Sequence, residues 1–259
     1  MSDFDRYSTP RYGSTTQAGV TIDQGLRTYM LGVYNYMTLG LAITGVVAYA
    51  LFAMATSAVP VEGAVAFHGL YITPFGITLF ASPLKYVVML LPLGIVFYMS
   101  MGMNRMSAQA AKIAFFVFAA AMGASLSSIL LVYTAVSITN ALLSTTAAFA
   151  GLSIYGYTTR RDLSAMGSFM VMGLFGLVIA SLINIFMQSS GLQLALSYLA
   201  VVIFAGLTAW DTQKIKAMYY EGDGYEVVTK KSIFGALALY LDFINLFVAL
   251  LRIFGDRRN

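Results

Sequence analysis

The chain has 259 residues, of which 59% are hydrophobic and 10% are charged, and its mean hydropathy is +0.78. Soluble domains carry about 25% charged residues, and a folded sphere of this size could not hide so much apolar surface, so lipid must cover part of it. The small excess of 15 Lys and Arg over 11 Asp and Glu fits short cytoplasmic loops better than a nucleic-acid surface, and the absence of Cys excludes disulfides, thiolate metal sites and Cys nucleophiles.

The chain begins with a polar segment, residues 1–27, that is rich in Ser, Thr, Tyr, Gly and Arg. This segment lacks the apolar core and small-residue cleavage site of a signal peptide, so it is predicted to be a polar cytosolic tail. A transmembrane domain is predicted over residues 28–255, and residues 256–259 form a short C-terminal tail.

Seven apolar runs follow the tail, and each approaches or exceeds the roughly 20 helical residues that cross a hydrocarbon core of about 30 Å. In chain order they are Tyr29–Thr56, Tyr86–Met103, Ile113–Ala135, Ala141–Tyr157, Met166–Met187, Leu192–Ala209 and Ser232–Phe254. A tight turn near Ser137–Asn140 is predicted between the third and fourth runs. The stretch Gly69–Phe80 is apolar but broken by Pro74 and Gly76, so it is predicted to be an interfacial or re-entrant loop.

Basic residues are concentrated in alternate connections between these spans. They are Arg6, Arg11 and Arg27 before the first span, Arg105 and Lys112 after the second, Arg160 and Arg161 after the fourth, and Lys214, Lys216, Lys230 and Lys231 after the sixth. Basic loops remain cytoplasmic, so the N-terminus is predicted inside and seven crossings place the C-terminus outside. Arg252, Arg257 and Arg258 then break the rule. Either the last segment enters the membrane and leaves on the same side, or the six preceding spans determine the topology despite the basic tail. We favour the second alternative.

Two acids in the last two spans are the candidate functional residues. A charge near the middle of a span costs roughly 2.5–3.5 kcal/mol on insertion scales, so Asp242 is predicted to face the bundle interior, with Asn245 on the same face as a supporting polar residue. The alternative for Asp242 is a purely structural hydrogen-bonding role. Asp211 ends the sixth span, where it either pairs with Lys214 one turn later or joins an interior site.

Two carboxylates on consecutive helices can meet inside the bundle. Like charges in a low dielectric cannot both ionise comfortably, so the pair would share a proton and titrate as a unit. Such a pair can sense pH, bind a hard cation such as calcium through its oxygens, or do both in competition. A calcium ion is therefore the possible ligand of Asp211 and Asp242, and no organic cofactor is predicted.

Four motifs give the chain a family resemblance. They are ALYLDFINLF at Ala238–Phe247 followed by LLRIFG at Leu250–Gly255, WDTQKI at Trp210–Ile215, NRMS at Asn104–Ser107 and GASLS at Gly123–Ser127. These motifs resemble those of the Bax inhibitor family (transmembrane Bax inhibitor motif proteins), especially its bacterial members, with Trp210 in place of the usual Tyr. The resemblance covers roughly Tyr29 to Gly255, and the motif of the last helix is highly specific.

The resemblance implies an all-α integral membrane protein whose first six helices wrap around a central C-terminal helix. It implies that Asp211 and Asp242 form a pH-sensitive calcium site, with Arg105 as a latch that pairs with one of them. The implied activity is a slow calcium leak across the bacterial plasma (inner) membrane, linked to stress tolerance and suppression of cell death. Some calcium-leaking members have a further acid partway along the second helix, and none occurs between Tyr86 and Met103 here.

An enzymatic function is not predicted. Intramembrane aspartyl proteases also place two acids on neighbouring spans, but they need Gly-x-Gly-Asp at the second acid and a later Pro-Ala-Leu, whereas Leu239–Leu241 precede Asp242 and no Pro follows it. A retinal protein needs a Lys in the last helix, and none lies between Ser232 and Leu251. The lone His68 is predicted to be a loop residue. The remaining alternative is a non-conducting regulator that binds a membrane-bound AAA protease or another partner.

Overall fold

The computed structural model of the protein describes residues 14–67, 69–102 and 105–258, with side chains from residue 24 onward. Residues 1–13 of the predicted tail, the predicted loop residue His68, and Met103 and Asn104 at the predicted end of the second span lie outside the described residues. The elements in chain order are α1 (Ser14–Ala55), β1 (Thr56–Ser57), β2 (Val65–Phe67), β3 (Leu70–Ile72), α2 (Pro74–Phe80), α3 (Leu84–Gly102), α4 (Ala108–Val132), α5 (Ala135–Thr158), α6 (Ser164–Met187), α7 (Ser190–Ala217) and α8 (Tyr225–Phe254).

Among the described residues, seven helices are long and apolar enough to cross a bilayer: α1 and α3 to α8. Each predicted span lies largely on one of these helices, which confirms the predicted fold class. Helix α1 begins at Ser14, so residues 14–27 of the predicted tail are helical. The turn between α7 and α8 lies on the face of the bundle where α1 begins, which is called the predicted cytoplasmic face below.

Helix α8 lies at the centre of the bundle. In the most apolar 18-residue stretch of α8, 67% of the residues are buried, against 11% in the corresponding stretch of α3 and 6% in that of α6. It packs against α1, α4, α5 and α7, while α3 packs on α4 and α6 packs on α7 as a more peripheral pair. Leu239, Tyr240 and Leu246 are among the fully buried side chains of α8. A helix that is apolar on almost every side needs such a central position.

The predicted turn at Ser137–Asn140 is wrong. Helix α4 ends at Val132 and α5 begins at Ala135, so the turn consists of Tyr133 and Thr134. The Thr134 side chain caps α5 by accepting a hydrogen bond from the Ser137 backbone N–H at 3.3 Å. The Ser137 hydroxyl accepts another from the backbone N–H of Asp256 at 2.9 Å. The hydroxyl of Ser137 therefore binds the C-terminal segment from within α5. The polarity of Ser137 had favoured the prediction of a turn at this position.

The connection between α1 and α3 folds into a small antiparallel sheet, in the order β1-β3-β2, followed by α2. The predicted interfacial or re-entrant stretch Gly69–Phe80 contains β3 and α2, and the strands were not predicted. Thr73 caps α2 by accepting a hydrogen bond from the Gly76 backbone N–H at 3.2 Å. A Cβ on Gly76 would lie 2.4 Å from the Ala55 carbonyl oxygen, so glycine allows α2 to contact the end of α1.

Helix α8 is continuous from Tyr225 to Phe254, so the last span does not dip and return. Beyond it the chain contacts the α4–α5 turn, where the backbone N–H of Thr134 donates to the Asp256 carbonyl at 3.2 Å and that of Arg258 donates to the Val132 carbonyl at 2.8 Å. The end of α8 therefore lies on the face opposite the start of α1.

Candidate functional site

Helices α7 and α8 are antiparallel neighbours joined by a short connection, and this places their acids within reach of each other. The connection is held by Lys231, whose Nζ donates to the Met218 carbonyl at 2.8 Å and forms an ion pair with Asp223. Buried residues of α7 such as Ile215 pack against Gly235 of α8, where a Cβ would lie 3.1 Å from the Ile215 side chain. Close packing of the two helices therefore fixes the site.

The structure brings Asp211 and Asp242 together. Their carboxyl groups lie close enough for each to influence the charge of the other. Asp242 is 4% exposed, while Asp211 is half-buried. In the described part of the chain, the enclosed Oδ2 atom of Asp242 has no hydrogen-bond partner. The site thus contains an acid pair with an unsatisfied oxygen in the interior of the bundle, which is a costly arrangement for a purely structural role.

The surroundings of Asp242 are apolar and aromatic. Leu239 is fully buried one turn before it, and the Phe243 ring packs edge-on against Phe149 of α5 with 5.5 Å between the ring centroids. These apolar neighbours offer no hydrogen bond to a second negative charge at this position.

Lys214 does not neutralise the pair directly. Its charge is close enough to influence Asp211, but its Nζ lies 4.8 Å from the centroid of the Trp210 ring. Within the described ranges, the single ion pair with atoms inside 4.0 Å is that of Lys231 and Asp223. The described residues therefore contain no ion pair between Asp211 and Lys214, the contact that the alternative for Asp211 requires.

Arg105 and Asn245 lie outside the contact between the acids. Arg105 is exposed in the turn after α3, where its backbone N–H donates to the Gly102 carbonyl at 2.8 Å. The latch between Arg105 and the acids remains a prediction. The Asn245 side chain donates to the Leu241 carbonyl of its own helix at 2.8 Å, so it satisfies an α8 carbonyl and does not extend the acid pair.

The acid pair supplies only part of a metal-ion ligand set. Among the described residues, no group of three or more His, Cys, Asp or Glu side chains is placed to hold a metal ion. Calcium takes six to eight oxygen ligands, and two carboxylates supply at most four. A calcium ion at Asp211 and Asp242 would therefore need further ligands, such as water.

Sequence analysis missed a chain of hydroxyl groups that connects α1, α5 and α7 beside Asp211. The Tyr34 and Ser153 hydroxyls lie 2.5 Å apart, and the Ser153 hydroxyl lies 3.2 Å from that of Thr212, which follows Asp211 directly. Thr212 in turn donates to the Thr208 carbonyl at 2.8 Å. Isolated Ser, Thr and Tyr residues within apolar spans were the available signal, but sequence spacing does not reveal which of them meet.

Comparison with known proteins agrees with the motifs. Residues 26–259 match the family described as "Inhibitor of apoptosis-promoting Bax1". The chain belongs to the Bax inhibitor family. This family membership and the seven long apolar helices identify the protein as an integral membrane protein.

Bacterial relatives match this family member over nearly their whole length. An uncharacterized protein of Rickettsia prowazekii is 47% identical over 246 residues, which cover 95% of this chain and 97% of the relative. An uncharacterized protein of Caulobacter vibrioides is 40% identical, with 100% of both chains covered. The inner membrane protein YbhL of Escherichia coli is 42% identical over 237 residues, which cover 90% of this chain and 94% of the relative.

Proposed function

We propose that this Bax inhibitor family member is a slow, pH-sensitive calcium leak channel gated by Asp211 and Asp242. The single observation that supports this function best is the contact between two carboxyl groups deep in the bundle, with one oxygen of Asp242 left unsatisfied. Intramembrane acids of this kind mark ion or proton pathways more often than structural contacts. The proposal involves transport without a catalytic step or an organic cofactor.

The gate is proposed to depend on the number of protons that the pair holds. With one shared proton, the pair has one negative charge and a hydrogen bond that latches α7 to α8. Loss of that proton adds a second charge and breaks the bond, whereas a second proton removes the ligands of the cation. Arg105 would favour the singly charged, latched pair over the fully protonated one from the predicted cytoplasmic face, since opposite charges stabilise a carboxylate.

The cellular setting follows from the family and from charge distribution. The Escherichia coli relative is named as an inner membrane protein, and we place this protein in the bacterial inner membrane as well. The positive-inside rule puts its N-terminus in the cytoplasm. A role in stress tolerance and suppression of cell death is proposed by family resemblance.

The decisive experiment is calcium entry into liposomes that contain only the purified protein, measured from about pH 5 to pH 8, where interacting buried carboxyls can titrate. We expect entry above that of protein-free liposomes, with a rate that changes across this range. Equal entry with and without protein at every pH would reject the channel. A calcium leak that is the same at every pH would support conduction but contradict gating by the acid pair.

The alternative is a non-conducting regulator that binds a membrane-bound AAA protease or another membrane protein. One observation favours it: α6 packs mainly along α7 and exposes large apolar side chains such as Phe169, Phe175 and Phe186. Such a face is available to a partner helix as well as to lipid. Absence of calcium entry in liposomes, together with recovery of a protease bound through α6, would make the regulator the better function.

A further inference from the structure

A large groove lies between α1 and α5, and no described residue of α7 lines it. Its volume is about 1420 Å³, and its walls come from α1 and α5 while α4 and α8 contribute its base. The groove exists because α1 packs against α4 and α8, whereas α5 packs against α7 and α8. The two helices share these neighbours and touch through the Tyr34 and Ser153 hydroxyls, which lie 2.5 Å apart, and a lateral cleft remains beside that contact.

The groove has the length of a lipid monolayer or more. On α1 its lining runs from Gln24 to Tyr49, which corresponds to roughly 37 Å of helix at 1.5 Å per residue. The hydrocarbon core of a bilayer is about 30 Å thick. Pockets for compact small molecules have volumes of about 300–1,000 Å³, so this groove is both larger and more elongated. Its apolar lining includes Leu41, Leu130 and Leu142.

Charge distinguishes one end of the groove from the other. Among the described residues that line it, Arg27 is the single charged side chain, and it is exposed at the predicted cytoplasmic end. A second cation lies next to that end: Lys216 Nζ is 4.8 Å from the centroid of the Tyr157 ring and donates to the Tyr157 carbonyl at 2.7 Å. Tyr157 itself lines the groove. The groove therefore combines an apolar length with a basic end.

We propose that this groove binds one membrane phospholipid, with an acyl chain along α1 and α5 and its phosphate at Arg27. A phosphate complements a guanidinium in charge and in bidentate geometry, and headgroups lie at the depth where the candidate membrane span of α1 begins, near Gln24. The acyl chain replaces water or a void along the apolar walls. This inference goes beyond calcium transport and does not depend on Asp211 or Asp242.

Two glycines provide a matched pair of substitutions. A Cβ on Gly45, which lines the groove, would meet no atom within 4 Å, and the same is true of Gly176 on the exposed side of α6. Gly45→Trp therefore fills the groove from a position with free space around it. Gly176→Trp adds the same side chain to an ordinary lipid-facing surface, so it controls for the effect of a new Trp.

The test uses the full-length protein in liposomes that contain a trace of phosphatidylglycerol with a photoactivatable diazirine on one acyl chain. After illumination, the labelled residues are mapped by mass spectrometry. We expect labels to concentrate on residues 31–45 of α1 and 142–154 of α5. Gly45→Trp should reduce labelling of α5 to the level of α3 and α6, while Gly176→Trp should leave it unchanged. Arg27→Gln should weaken labelling by phosphatidylglycerol roughly fivefold, the effect of about one interfacial cation.

Three results would overturn the proposal. Labels spread evenly over α1, α3, α5 and α6 would show ordinary annular lipid. Undiminished labelling of α5 in a folded Gly45→Trp protein would place the lipid elsewhere, and Gly45→Leu gives the same test if the Trp variant does not fold. Cross-links from α1 and α5 to a second protein chain, in place of lipid adducts, would show that a helix of a partner occupies the groove.

Discussion

The hydroxyl groups of Thr44 and Tyr240 lie 2.6 Å apart in the interior of the bundle and join α1 to α8. Thr44 Oγ1 is also 2.8 Å from the Ala119 carbonyl of α4. It also lies 3.0 Å from the Gly40 carbonyl of its own helix. A threonine hydroxyl has one proton, so when Thr44 donates to either carbonyl it accepts from Tyr240. Phe115 and Phe118 pack edge-on against the Tyr240 ring, with centroid distances of 6.0 and 5.3 Å. Three helices therefore depend on one polar contact in an aromatic cluster.

Tyr240→Phe should lower the free energy of unfolding by about 1 kcal/mol, the usual net value of one buried hydrogen bond. The measurement is thermal unfolding of the purified protein in detergent. Tyr29→Phe is the matched control, because the Tyr29 hydroxyl is buried without a hydrogen-bond partner among the described residues. That variant should be as stable as the wild type or more so. Equal losses in the two variants would mean that the hydrogen bond to Thr44 contributes no more than the unpaired hydroxyl of Tyr29.

A second prediction concerns the closest approach of α5 and α7. A Cβ on Gly156 would lie 2.2 Å from the Ala209 carbonyl oxygen, whereas a Cβ on Gly151, in the same helix, would meet no atom within 4 Å. Gly156→Ala should therefore cost about 1–3 kcal/mol of stability, as overpacking does. Gly151→Ala should be neutral or slightly stabilising, because alanine favours the helix. A Gly156→Ala protein with a wild-type melting temperature would show that α5 can shift away from α7 without cost.

The sequence predicted the spans and the meeting of the acids for the same physical reason. Seven runs of about 20 apolar residues are most stable within a membrane, where lipid covers their surface. A carboxyl such as Asp242 is costly against lipid, so it faces the interior of the bundle. Hydroxyl contacts between helices could not be predicted from the sequence. The Thr44–Tyr240 contact, for example, depends on the rotation of α1 relative to α8. The strands β1 to β3 were missed because they have two or three residues each, too few for an alternating pattern.

Substitution of either acid should change the pH profile of calcium entry. Asp242→Asn and Asp211→Asn each leave one titratable carboxyl in place of a coupled pair, so two transitions should become one. The midpoints should differ between the variants, because Asp242 is enclosed and Asp211 is half-buried. The measurement is calcium entry into liposomes from about pH 5 to pH 8. Superimposable profiles for the wild type and both variants would make the acids structural.

Asp162→Asn is the control for the acid-pair variants. Asp162 is an exposed acid in the connection between α5 and α6. Hydrogen bonds from the Ser164 side chain and from its backbone N–H, the latter 2.9 Å from Asp162 Oδ1, hold the pKa of that carboxyl below its ordinary value. A lowered pKa keeps Asp162 ionised above about pH 5, so its own titration falls outside the measured range. Its replacement should leave the pH profile unchanged.

The last prediction tests the latch. Arg105→Ala should raise the basal calcium leak up to about fivefold, since an exposed ion pair contributes at most about 1 kcal/mol to a closed state. Arg160→Ala is the control, because Arg160 is also an exposed arginine at the predicted cytoplasmic face, in the α5–α6 connection. Entry of calcium into liposomes is measured at low and at high salt, and the increase should shrink at high salt as screening weakens the wild-type pair. An Arg105→Ala leak equal to that of wild type and of Arg160→Ala at both salt concentrations would leave Arg105 as a determinant of topology only.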